Sequence, residues 1–167
     1  MHPILRTAAL LLVVSALAAP GLRAQVVSQP VLSAEGVRKA LAAAEAEAHR
    51  NGWNVSIAVV DPAGTLLGFA KMDEASAASV DVSQAKARSA GRFRRATKVF
   101  EDGVAGGRAA IMSLPGVVAV EGGVPLIVDG KVVAAVGVSG ATSAQDGQVA
   151  AAGVVGAGGT VPPPPAR

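Results

Sequence analysis

Val37, Leu41, Ala44 and Ala48 recur at helical spacing, between Ser33, which can cap a helix, and Asn51-Gly52, which offers a left-handed stop. The pattern predicts a first helix. The apolar positions then switch to a continuous β-branched run over 55–60, followed by turn chemistry at Asp61-Pro62-Ala63-Gly64 and a second extended stretch over 65–72. A second hairpin is read from 125–128, the two-residue turn Asp129-Gly130, and 131–138. Residues 117–120 add a short strand before Gly122-Gly123. Between the hairpins, 80–98 carries no glycine or proline except Gly91 and is rich in Ala, Arg, Lys and Ser, which favours a helix. A last helix begins at the capping-box-like Ser143-Ala-Gln-Asp146, passes through Gln148, Val149 and Ala152, and stops at Gly153 or shortly beyond. Strands joined by tight turns are antiparallel, so the order predicts an α+β layer fold and not a doubly wound parallel sheet.

The first 24 residues read differently. Arg6 precedes an apolar run over 8–19 broken only by Ser15, and Pro20-Gly21 then leads to Leu22-Arg23-Ala24, the pattern of a secretory signal peptide. A run of about twelve residues is too short for a bilayer, which needs about 20. Cleavage is expected after Ala24, with Ala18 the alternative, and no cysteine follows to take a lipid. The organisation is therefore a signal peptide over 1–24, an extension over 25–31, one domain over 32–155, and a Gly/Pro-rich disordered or polyproline tail over 156–167. A periplasmic or secreted protein without a stable membrane anchor is expected.

Composition narrows the chemistry. The 167 residues include no cysteine and no tyrosine, which excludes a disulfide scaffold, a thiolate nucleophile and Cys-ligated metal. Removing Arg6 and Arg23 with the leader leaves thirteen basic against twelve acidic residues, a net charge of +1. With four aromatics in all, neither a strong positive field nor stacking residues support nucleic-acid binding.

Six cations, Lys86, Arg88, Arg92, Arg94, Arg95 and Lys98, fall between Asp81 and Glu101 with no acid among them. Arg88, Arg92 and Arg95 lie at i, i+4 and i+7, one face of a continuous helix, where like charges repel unless an anion or a partner's carboxylate sits opposite. A solvated face is the competing reading. None of the glycine-rich stretches matches a phosphate loop or dinucleotide turn. Gly137-Val-Ser139-Gly140-Ala141 lacks the closing glycine of a nucleophile elbow, and His49, in the last turn of the first helix, is the only imidazole after the leader. Asp73, Glu74 and Asp81, and Glu45 with Glu47, have no high-affinity metal spacing and read as solvated carboxylates.

Taken together, Val60-Asp61-Pro-Ala-Gly64, Lys71-Met72-Asp73, Ala85-Lys86-Ala87-Arg88-Ser89-Ala90, Thr97, Gly122-Gly123-Val-Pro125, Gly130, Gly137-Val-Ser139-Gly140-Ala141, Gln145-Asp146 and Ala152-Gly153 resemble the GlcG/HbpS-type family, also seen as the C-terminal module of PduO-type proteins. The resemblance implies a profilin-like α-β-α sandwich with a central antiparallel sheet, homo-oligomers, and, as in HbpS-like members, haem binding with haem degradation and iron binding. Lys86 resembles the family's characteristic lysine, Thr97 a threonine linked to haem, and Asp146 an acid of the closing helix. Ala96 replaces a usual proline, and Gly147 replaces an acid that often follows Asp146.

The expectation is an exported haem-binding protein, with haem degradation as a secondary activity. Its haem-contacting residues are taken as Thr97, Lys86, Arg88, Arg92, Arg95 and His49, with the arginines on the propionates and no catalytic residue assigned. The alternative is a non-enzymatic oligomeric module for a small carboxylated metabolite such as a hydroxy acid. An enzyme acting on a small metabolite is disfavoured by the sparse acid/base inventory.

Overall fold

The computed structural model describes residues 27–163, so the signal-peptide reading and the last four residues lie outside it. Helix α1 spans Ala34–Asn51. Ser33 Oγ accepts the Gly36 N–H at 3.2 Å, and Gly52 closes the helix at φ 69°. Strand β1, Ser56–Val60, and β2, Leu66–Lys71, form the first hairpin, and the Asp61 carboxylate holds the turn by accepting the N–H groups of Ala63 and Thr65, each at 2.8 Å. Strand β3, Gly123–Val128, and β4, Lys131–Ser139, form the second. Their turn residues Asp129 and Gly130 both take positive φ, 50° and 73°.

All four strands are antiparallel, in the order β2-β1-β4-β3. Helices α1 and α4 (Ser143–Gly156) cover one face. Helices α2 (Ala77–Phe93) and α3 (Thr97–Ala105) lie on the other, giving the expected α-β-α sandwich. Burial on both faces explains the unbroken apolar reading of β1. Ile57 and Val59 pack with Val37, Ala44, Val149 and Val154, while Ala58 and Val60 face Ala87 and Ala90 of α2. The α2 layer sits unusually close to the sheet. A Cβ on Gly137 would come within 2.2 Å of the Ser83 carbonyl oxygen, so only glycine fits.

Three sequence expectations change. The helix expected over 80–98 is two helices, because Arg94 takes the left-handed conformation at φ 54° and ends α2. Arg88, Arg92 and Arg95 therefore do not share one helix face. Residues 117–120 form no strand, and the Val118 N–H donates instead to Ser89 Oγ at 3.1 Å. The cap of α4 is Thr142, whose side chain accepts the Gln145 N–H while Gln145 reaches back to the Thr142 N–H, one residue earlier than the sequence suggested.

The chain after α4 also departs from expectation as far as it is described. Gly158 turns it at φ 83°, and Thr160 then pairs with Ile127 at the free edge of β3 through reciprocal backbone bonds of 2.9 and 3.1 Å.

Candidate functional site

The α2–α3 junction is fixed from several sides. The rings of Phe93 and Phe100 meet edge to face, 5.3 Å apart and inclined at 73°. Thr97, the first residue of α3, is fully buried, and its hydroxyl oxygen accepts the Gly123 N–H at 2.9 Å, which ties α3 to the start of β3. Ala96 has φ −61°, a value proline would also adopt, so the replacement leaves the entry to α3 in the geometry that proline favours.

Arg94, Arg95, Ala96 and Lys98 of this junction, with Val99 and Asp102 from α3 and Pro162 and Pro163 from the C-terminal segment, line a cleft of about 610 Å³. Asp102 Oδ1 lies 2.7 Å from Lys98 Nζ and holds that ammonium protonated beyond its usual range. Arg94 and Arg95 form no ion pair among the described residues. The cleft thus offers two uncommitted guanidinium groups beside alanine, valine and proline, a lining suited to a carboxylate or phosphate borne on an apolar body.

A smaller recess of about 190 Å³ adjoins it, sharing Ala96, Lys98 and Pro162 and reaching Glu121 and Gly147. The Glu121 N–H donates to the Glu101 carboxylate at 2.6 Å. Partial burial, reinforced by the negative charges of Glu101 and Asp102, pushes the Glu121 carboxyl above its ordinary value against the opposing pull of Lys98.

Behind the junction lies a buried ion pair. Lys86 Nζ is 2.8 Å from Asp146 Oδ2, both side chains are 2% exposed, and Asp146 Oδ1 accepts the Ala141 N–H at 3.1 Å. Gly122, at φ 130°, packs on the pair: a Cβ there would meet Lys86 Nζ at 2.7 Å and the Asp146 Cβ at 2.9 Å. Burial raises the Asp146 carboxyl above its usual range despite the ammonium beside it.

The sequence-assigned site residues are thus dispersed. Arg95 lines the cleft, and Thr97 stands behind it with its hydroxyl engaged by Gly123. Lys86 is consumed by Asp146. Arg88 bonds to Gln84, while Arg92 Nε donates to the Ala63 carbonyl at 2.8 Å and braces the β1–β2 turn. His49 lies in a separate cleft of about 400 Å³ with Glu45, Asn54, Met72, Asp73 and Glu74, whose carboxylates repel an anion. Among the described residues no group of three or more His, Asp or Glu side chains could hold a metal ion.

Arg94 and Lys98 belong to the basic cluster already singled out, but Pro162 and Pro163 were assigned to the tail and carry no signal of a site. The elbow-like Ser139 ends β4, and Gly140 at φ 143° serves the close approach to the Asn54 carbonyl.

Residues 32–155 match the family described as haem degrading protein HbpS-like. The chain belongs to the HbpS-like family. It is 47% identical over 109 residues to protein GlcG of Escherichia coli K12, covering 65% of this chain and 81% of that one. Its fold superimposes on a double mutant of Streptomyces reticuli HbpS with a TM-score of 0.74 at 33% identity, covering 83% of this chain and 96% of the other. It also matches a crystal structure of PduOC in complex with haem, with a TM-score of 0.70 at 28% identity over 75% of this chain and 94% of that one. Both the family and the α+β antiparallel architecture read from the sequence stand.

Proposed function

We propose that the protein is an exported, homo-oligomeric haem-binding member of the HbpS-like family, with haem seated in the cleft at the α2–α3 junction. The observation that carries this reading is the pair of unpaired arginines, Arg94 and Arg95, beside an apolar wall in a space of about 610 Å³. The guanidinium forks would take the propionates, and Ala96, Val99 and the two prolines would face the ring. The PduOC–haem complex in the same family supports the ligand class. Export rests on the leader-like pattern of residues 1–24, and none of the described helices is long and apolar enough to cross a membrane.

The fit is good for the carboxylates and the ring and poor for the iron, since the cleft lining includes no imidazole, thioether or phenol. The chain's own part is therefore to hold the acidic edge and exclude water from one face, and modest affinity is expected. No residue of the cleft is assigned to haem turnover.

The lack of an iron donor in the lining favours a second reading, a binding module for a small carboxylated metabolite such as a hydroxy acid. Titration of purified protein with hemin, followed at the Soret band, tests the first reading: a saturable change at micromolar protein supports it and no change removes it. A thermal-shift screen of organic acids run beside hemin separates the two, because a ligand that binds only the native state raises its apparent stability.

A further inference from the structure

Pro162 and Pro163 lie beyond residue 155, where the family match ends, yet they line the cleft together with Arg94 and Arg95. Several contacts hold them there. The Gly159 N–H donates to the Val154 carbonyl at 3.0 Å, and Gly159 is buried over Leu126, so closely that a Cβ would lie 2.5 Å from Leu126 Cδ2. Thr160 exchanges both backbone bonds with Ile127, and its hydroxyl donates to the same carbonyl at 3.3 Å. The next residues run to the entrance of α3, where Pro162 also lines the adjoining recess with Ala96 and Lys98.

We infer that residues 158–163 are a strap anchored on the β3 edge that presents Pro162 and Pro163 as specificity-determining contacts for the ligand's apolar face. The inference rests on the cleft reading above and adds to it what the wall selects. Proline has no N–H to donate and a fixed φ, so the two rings form a stiff, flat, apolar surface that loses little freedom when covered. In one cleft with two guanidinium groups, such a surface selects an occupant with a broad apolar plane and an acidic edge. A small hydroxy acid held by the arginines would gain nothing from it. If the strap only shields the β3 edge from other strands, the prolines can be changed without effect on binding.

The test uses metal-free protoporphyrin IX, whose binding to purified protein is read by fluorescence and involves no iron ligation. Four proteins are compared: the unaltered chain, Pro162→Gly with Pro163→Gly, Thr160→Pro, and Arg94→Gln with Arg95→Gln, each checked for a cooperative thermal transition. Thr160→Pro removes the N–H that bonds to Ile127 and releases the strap, whereas the paired glycines keep the anchor and remove the flat faces. The expected result is a loss of affinity of about tenfold in both strap variants, and a larger loss in the arginine variant. Unchanged affinity in both strap variants, with loss in the arginine variant, overturns the strap and leaves the cleft standing. Full affinity in the arginine variant, or no binding by the unaltered chain, overturns the cleft reading and the strap with it.

Discussion

The Lys86 ammonium lies 2.8 Å from the Asp146 carboxylate, joining α2 to α4 through a point where both side chains are 2% exposed. Gly122 seals the pair. Such a contact is expensive to break and of little net value when intact, since each charge has lost its water. Lys86→Met or Asp146→Asn alone should therefore destabilise the protein by about 3–5 kcal/mol in urea unfolding. The double variant should recover most of that loss, because it leaves no unpaired charge and the introduced amide oxygen can still accept the Ala141 N–H. Equal damage in the double variant would contradict this account.

Thr97 is the residue that the family resemblance links to haem, and here its hydroxyl satisfies the buried Gly123 N–H at 2.9 Å. Thr97→Val leaves that donor unpaired and should cost about 1–3 kcal/mol. Thr97→Ser should keep both stability and hemin affinity. Loss of hemin binding in a Thr97→Val variant that still unfolds cooperatively, with binding kept in Thr97→Ser, would give the Thr97 hydroxyl a direct ligand role.

Arg94 places a bulky side chain in the left-handed region, at φ 54°, where glycine is the usual helix terminator. Arg94→Gly should leave stability unchanged or raise it by up to about 1 kcal/mol, while weakening hemin binding through the lost guanidinium. Thermal unfolding and Soret titration of the one variant read the two effects separately.

Partial burial beside Glu101 and Asp102 raises the Glu121 carboxyl above its ordinary value, so the native state holds that proton more tightly than the unfolded chain. The contribution of this group to stability is therefore full below the ordinary glutamate range and lost as pH rises from that range through the raised value. Glu121→Gln should stabilise the protein at neutral pH by a few tenths of a kcal/mol, discounted because the carboxyl is half-exposed and screened, and should have no effect near pH 3. Urea midpoints across pH 3–8 check the slope.

Periodicity and turn chemistry were sufficient for α1, both hairpins and the antiparallel sheet, because Ser33, Gly52, Asp61 and Asp129-Gly130 act locally. The break at Arg94 escaped the sequence because the residue carries no turn propensity, and the contacts that dock α3 beyond it, Thr97 on Gly123 and Phe100 on Phe93, are not local signals. That break decides the site. A continuous helix would have stacked Arg88, Arg92 and Arg95 on one face, whereas the bend after Phe93 takes Arg95 off it; Arg92, still within α2, bonds the Ala63 carbonyl, and Arg94 and Arg95 line the cleft. Lys86 and Asp146 could each be singled out by resemblance, but 60 residues separate them and no local pattern shows that they meet. The anchoring of Thr160 likewise depends on the free edge of β3, a property of the sheet order and not of the tail.

The most direct measurement compares the hemin affinity of two double variants, Arg94→Gln with Arg95→Gln and Arg88→Gln with Arg92→Gln, by Soret titration of folded protein. Loss of at least about tenfold in the first pair and near-native affinity in the second is the predicted result. Native affinity in the first pair, with loss in the second, would move the ligand from the α2–α3 junction to the β1–β2 turn and contradict the account.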